Sequence, residues 1–120
     1  MDLNNVIERI KARAIDANLP YFGASTPKES QFIQEKVSSA FIVDVRTRPE
    51  WIYVGSVPGS IQIEWQLFPT GEFNGSFLDH LRENVPTDAY VLFLCRSGAR
   101  SHAAASLASN AGYSKAINVI

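Results

Sequence analysis

The sequence predicts an α/β domain with a mostly parallel sheet flanked by helices. Three observations lead there. Short β-branched or apolar runs alternate with longer stretches of helical periodicity. The run Tyr90-Val91-Leu92-Phe93-Leu94 is apolar throughout, as a central parallel strand buried on both faces requires. Glycine and proline punctuate the connections. A length of 120 residues, 46% of them hydrophobic and 19% charged, suits a single domain spanning 1–120 with a sizeable core.

Residues 3–19 read as a helix, because Leu3, Ile7, Ile10, Ala14 and Ile15 recur at three- and four-residue intervals between charged positions. Pro20 closes this N-terminal helical extension, residues 1–20. A short extended piece, Tyr21 to Ser25, follows. Thr26, Pro27 and Glu29 form a capping-box start for a second helix, with Phe32, Ile33 and Val37 along its apolar side. Phe41 to Val45 is a β-branched run of strand length. Pro49 to Val54 reads as a short helical turn, and Gly55, Pro58 and Gly59 as a turn-rich connection. Ile61 to Trp65 alternates as a strand with one polar face. Residues 69–75 read as a loop, and Ser76 caps a helix running to about Asn84. The 90–94 strand leads to a helix from Arg100 to Asn110, with Ala104, Leu107, Ala108 and Ala111 on one side and Gly112 as its stop. Ala116 to Ile120 is the last strand. No further helix follows it: either the chain is truncated there, or the N-terminal helix covers the face left bare.

Composition narrows the function. Eleven basic and 12 acidic residues give a formal net charge of −1, with no surplus to attract nucleic acid or an acidic membrane. Cys95 is the single cysteine, which excludes an internal disulfide and a cysteine-cluster metal site. Two histidines far apart in sequence argue against a metal centre, and no cofactor is expected. A lone thiol suits a reducing compartment. The N-terminus lacks a basic stretch followed by an apolar one, and no apolar run reaches spanning length. A cytoplasmic location is the expectation that remains. Oligomeric state cannot be read from the pattern. The acidic residues Glu72, Asp79, Glu83 and Asp88 read as solvated surface.

Cys95 lies where the buried strand ends and a helix is about to begin. In open α/β sheets ligands bind beyond the carboxyl ends of the strands. The loop Cys95-Arg96-Ser97-Gly98-Ala99-Arg100 carries a glycine that lets it curl and two cations. A curled loop turns successive N–H groups inward, and the following helix adds its own free N–H groups. These features lower a thiol pKa and leave a thiolate that needs no neighbouring base. A lone cysteine at a strand end is also met as a small buried hydrophobe. The whole strand–loop–helix combination points to a reactive one.

Cys95-Arg96-Ser97-Gly98-Ala99-Arg100-Ser101 resembles the active-site loop of the rhodanese family, Cys-Arg-x-Gly-x-Arg-Ser. Val43-Asp44-Val45-Arg46, then Glu50-Trp51, Gly55, Pro58 and Gly59 resemble that family's second stretch. The resemblance covers roughly residues 21–120. It implies a rhodanese-like three-layer fold with a mostly parallel five-stranded sheet flanked by helices, to which this chain adds an N-terminal helix. It implies a sulfurtransferase in which Cys95 takes sulfane sulfur from a donor such as thiosulfate and passes it as a persulfide to a thiol, cyanide or a protein acceptor. Arg96, Ser97, Gly98, Ala99, Arg100 and Ser101 would form the substrate-binding loop. Asp44 would brace that loop, and Arg46 would pair with Glu50. Ser56 stands where the family usually has histidine, Ser60 where alanine is usual, and the family's C-terminal glycine-rich turn and helix are missing.

Two alternatives remain. A non-catalytic or regulatory rhodanese-like interaction module would share the fold, although such modules often lack the cysteine. A cysteine-dependent phosphatase would also hold a thiolate in an anion-binding loop, but with one residue more between cysteine and arginine than the four here. His102 adjoins the loop as either a tuning group or an exposed helix residue. Trp51 and Trp65 are expected as packing anchors, with Trp65 a candidate for the mouth of the site.

Overall fold

Helices and parallel strands alternate through residues 2–120, the span described by this computed structural model. The order is α1 (Leu3–Asp16), β1 (Gly23–Ser25), α2 (Pro27–Lys36), β2 (Ala40–Asp44), α3 (Arg48–Tyr53), β3 (Ile61–Gln62), α4 (Phe77–Asn84), β4 (Tyr90–Leu94), α5 (Ala99–Asn110) and β5 (Ala116–Val119). The strands form one sheet in the order β1-β5-β4-β2-β3, and every pairing is parallel. The apolar 90–94 run is the central strand, paired with β2 on one side and β5 on the other.

Successive side chains of a strand point to opposite faces, so each central strand feeds two cores. Val43, Val45, Val91, Phe93 and Ala116 face α4 and α5, where Phe77, Leu81, Ala104, Ala105 and Ala108 meet them. Ala40, Ile42, Leu92, Ile117 and Val119 face the other way, against Val6 and Ile10 of α1 and Ile33 of α2. The result is three layers, helices on both sides of the sheet, with the N-terminal helix covering part of one face.

Several boundaries differ from the sequence reading. Helix α1 ends at Asp16 and not at residue 19, because Asn18 takes φ 55° and the chain turns away through a left-handed residue. Its buried stripe is Val6, Ile10 and Ala14, each four residues from the next, while Ile15 is 74% exposed. Strand β3 is shorter than the expected 61–65. Its regular pairing stops at Gln62, although Ile63 and Trp65 N–H groups still bond to the Asp44 and Val45 carbonyls at 3.1 Å each. Helices α3 and α5 each begin one residue earlier than read, and β5 ends one residue earlier. Among the described residues no helix is long and apolar enough to cross a membrane.

The extra helix is pinned by both packing and charge. A Cβ on Gly23 would lie 3.1 Å from Ile10 Cγ1, so any larger residue would require Ile10 to give way by a few tenths of an ångström. Glu29, buried at the start of α2, accepts from Arg9 Nε at 3.0 Å and from Arg13 Nη1 at 2.7 Å. The same Glu29 carboxylate accepts the Thr26 N–H at 2.9 Å, which closes the capping box, and Arg13 Nη1 also reaches the Ala24 carbonyl at 2.6 Å. Burial alone would raise the Glu29 pKa, but bonds from Arg13, Thr26 and Arg9 outweigh it and bring the pKa to about 2.

That carboxylate therefore contributes stability above its ordinary value of 4.5, and the contribution is lost as pH falls towards 2. Glu29→Gln is expected to lower unfolding free energy at pH 7 by about 1–2 kcal/mol, since both arginines are partly solvated. Denaturant titrations at a series of pH values check this: the gap between wild type and variant should close between pH 4.5 and 2.

Candidate active site

Cys95 follows directly on β4, at the carboxyl edge of the sheet beside the start of α5. Gly98 caps that helix with φ 90°, a left-handed conformation that folds the loop back on itself. The Gly98 N–H reaches Cys95 Sγ at 3.1 Å, the Ser101 N–H at 3.4 Å, and the Ser101 hydroxyl lies 3.2 Å away. Cys95 is only 7% exposed. Burial is the largest single effect on its thiol and pushes the pKa up. Contact with the Ser101 hydroxyl, for whose single proton the Asn118 oxygen competes, and hydrogen bonds from the Ser101, Gly98 and Ser97 N–H groups together outweigh burial and hold the pKa below the ordinary thiol value.

The arginines act differently from the expectation. They are not what chiefly lowers the thiol pKa; the hydroxyl and the amides are. Arg100 turns to Glu50 of α3 and grips it with two bonds of 2.6 and 3.0 Å. Glu50 Oε1 also accepts the Thr47 N–H at 3.0 Å and the Thr47 hydroxyl at 2.9 Å. The bonds from Arg100 are the main cause that brings the Glu50 pKa to about 2, against the opposing effect of burial. Arg96 is exposed and unpaired among the described ion pairs, and it lines the open cleft in front of Cys95.

The expected Arg46–Glu50 pair is not formed. Arg46 instead holds Asp44, two residues back, with Nη2 to Oδ2 at 2.7 Å, and donates to the Gly55 carbonyl at 2.7 Å. Asp44 is fully buried and accepts the Arg46 N–H as well, at 3.1 Å. Its carboxylate bonds go to Arg46, so it fixes the 46–55 wall of the cleft and makes no side-chain hydrogen bond to the Cys95 loop. Two carboxylates each keep their own arginine because Asp44 reaches Arg46 locally, while Glu50, on the outer side of α3, meets the first turn of α5. Arg46, Glu50, Gly55, Ser56, Val57, Leu94, Cys95 and Arg96 line the cleft. Ser56 is exposed there, and Ser60 lies outside it, bonding the Val57 carbonyl at 2.7 Å to close the turn.

Trp65 is not at the mouth. It packs edge-on against Phe73 and Phe77, with ring centroids 4.8 and 5.0 Å away. His102 is exposed and bonds through Nδ1 to the Tyr21 hydroxyl at 2.7 Å. The sequence reading overlooked Asn118 and Tyr21, which join Ser101 behind the sulfur. A signal existed for one of them: Asn118 is a lone polar residue inside the apolar strand Ala116-Ile117-Asn118-Val119.

Comparison with known proteins places these features in context. The family model for the Rhodanese-like domain matches residues 26–120. A crystal structure, that of Rv0390 from M. tuberculosis, superposes with a TM-score of 0.75 at 37% identity, covering 83% of this chain and 78% of that one. An uncharacterized protein of Rickettsia conorii is 40% identical over 87 residues, 68% of this chain and 67% of its own length. A sulfurtransferase of Allochromatium vinosum is 32% identical over 78 residues, 65% of this chain and 63% of its own.

The loop's reliance on Gly98 can be checked. A Cβ there meets nothing within 4 Å, so the cost of Gly98→Ala is purely the left-handed backbone, about 1–2 kcal/mol. Relaxing that strain moves the Gly98 N–H off Sγ. The pH profile of Cys95 alkylation should shift to higher pH in this variant.

Proposed function

The chain belongs to the rhodanese-like domain family, and from that premise we propose that it is a sulfurtransferase working through a persulfide on Cys95. The observation that carries the reading is the sulfur's surroundings. One sulfur atom faces an open cleft and is ringed by the Gly98 and Ser101 N–H groups and the Ser101 hydroxyl.

With thiosulfate as donor, the Cys95 thiolate attacks the outer sulfur. The new bond from Sγ to that sulfur forms as its bond to the sulfonate sulfur breaks, and the electron pair leaves with sulfite. Negative charge then rests on the terminal sulfur of the persulfide. An acceptor thiolate, cyanide or a protein cysteine attacks that sulfur, and the pair of the broken bond returns to Sγ. The amides stabilise charge that sits on Sγ before and after transfer, and Arg96 at the cleft is placed to attract an anionic donor. The substrate-binding role thus falls to Arg96, Ser97, Gly98, Ala99, Arg100 and Ser101. Asp44 and Arg46 hold one wall of the cleft, and Glu50 holds Arg100.

Two observations weigh against phosphatase chemistry. The loop is short, and the Arg100 guanidinium is already engaged by a carboxylate instead of being free for phosphate. Retention of Cys95 and its donors weighs against a purely structural interaction module.

Mass analysis after thiosulfate treatment should find one added sulfur on Cys95 and release of sulfite. Absence of that adduct would favour the interaction module. Cys95→Ser is expected to fold and to transfer no sulfur, since a serine hydroxyl neither ionises near neutrality nor carries sulfane sulfur. With an aryl phosphate the wild type should show no turnover; robust hydrolysis dependent on Cys95 would favour the phosphatase instead.

A further inference from the structure

Behind Cys95 a buried hydrogen-bond chain runs away from the cleft and across to the edge of the sheet. The Ser101 hydroxyl touches both Cys95 Sγ, at 3.2 Å, and Asn118 Oδ1. Asn118 Nδ2 reaches the Gly98 carbonyl at 3.3 Å and the Tyr21 hydroxyl oxygen at 3.2 Å. Tyr21 in turn bonds His102 Nδ1 at 2.7 Å. Ser101 is fully buried and Asn118 only 4% exposed.

The chemistry of the atoms fixes the direction of the chain. A backbone carbonyl can only accept, so the amide nitrogen of Asn118 must face Gly98 and its oxygen must face Ser101. That oxygen also can only accept. Ser101 has one hydroxyl proton, and two acceptors contend for it, the Asn118 oxygen and the Cys95 thiolate. When Cys95 is a thiol, its S–H donates to Ser101 Oγ and Ser101 donates to Asn118, and every group is satisfied. When Cys95 ionises, its sulfur gains the serine proton only if the Asn118 oxygen gives it up. Flipping the amide would relieve the contest, but would set its oxygen against the Gly98 carbonyl.

We propose that Asn118 is a positioning residue for the Cys95 nucleophile, drawing the Ser101 proton away from the sulfur, with Tyr21 and the Gly98 carbonyl holding the amide in the orientation that does so. This deepens the sulfurtransferase reading and rests on it for the identity of the nucleophile. A thiolate with fewer hydrogen bonds is more basic and more nucleophilic. Once Sγ carries a second sulfur, its charge has moved outward and the Ser101 proton passes to Asn118 uncontested. Asn118 therefore favours the sulfur-loaded state over the free thiolate.

Among the described residues, none of the charged groups around the sulfur hydrogen-bonds to it or to Ser101, although Arg100 lies close enough to feel the sulfur's charge. Arg46 pairs with Asp44 beyond the end of β2, Glu50 of α3 pairs with Arg100 of α5, and Arg96 lies in the open cleft. On the far side, burial is the main effect on Tyr21 and raises its pKa against a smaller opposing effect of Asn118, so its hydroxyl keeps its proton. His102 is the outer end of the chain, at the surface.

The test is a thiolate titration of the whole chain by ultraviolet absorbance, paired with alkylation rates at pH values where the thiolate is fully formed. Asn118→Leu should lower the Cys95 pKa by about one unit, the worth of one bond to a charged acceptor. It should also lower the limiting alkylation rate severalfold, because the sulfur now keeps the Ser101 proton. A merely loosened site would expose the sulfur and move that rate the other way. In a Ser101→Ala background, Asn118→Leu should leave the pKa unmoved. Tyr21→Phe, which keeps the core filled, should produce smaller shifts of the same sign and carries the test if Asn118→Leu does not fold. An unchanged or raised pKa in the foldable variant, or an equal shift without Ser101, overturns the proposal. No sulfur donor enters these measurements, so a failure to form persulfide from thiosulfate counts against the sulfurtransferase reading and leaves the titration result standing.

Discussion

The geometry of this site follows from one contest, between the cost of burying a charged sulfur and the donors arranged to offset it. A thiolate hidden from water is disfavoured unless it is hydrogen-bonded. Here the offset comes from the shape of a loop more than from opposite charges. Gly98 in a left-handed conformation turns its own N–H and that of Ser101 towards one point, and β4 delivers Cys95 to that point. Amides held by a loop and a helix start are preorganised: they need no side-chain ordering when charge appears.

The arginines then have a different task from the one their position in the loop suggests. Arg100 ties the first turn of α5 to α3 through Glu50, and Arg46 ties the end of β2 to the turn at Gly55 through its guanidinium bond to the Gly55 carbonyl. Each is neutralised by a carboxylate, so the cleft is walled by paired charges, and Arg96 is left as the cation facing it. In the proposed reaction Arg96 is the charge placed to draw an anionic donor into the cleft.

Much of the fold was legible because it is written in local periodicity. The capping box at Thr26 and Glu29, the apolar run 90–94 and the alanine-rich helix after the loop each depend on residues within a few positions of one another. The misjudged parts depend on partners elsewhere. The buried stripe of α1 is set by which side meets β1 and α2, so Val6 lies in the core, Ile7 packs at its margin and Ile15 faces solvent. The family resemblance implied that Arg46 pairs with Glu50. Arg100, fifty residues further on, was the stronger partner for Glu50, and Asp44 took Arg46 instead.

By itself the sequence determined that a cysteine would stand at the end of a buried strand, before a glycine turn and a helix. Those features are contiguous and their backbone preferences are local. Only the tertiary structure decided what lies behind the sulfur. Tyr21 comes from near the start of the chain and Ser101 and Asn118 from near its end, with Tyr21 and Asn118 separated by 97 positions. Parallel pairing of β1 with β5 brings those distant segments side by side, and strand alternation turns Asn118 to the face where α5 begins. A hydrogen bond's direction depends on every partner its atoms can reach. Partners gathered by a sheet are therefore invisible until the sheet is formed.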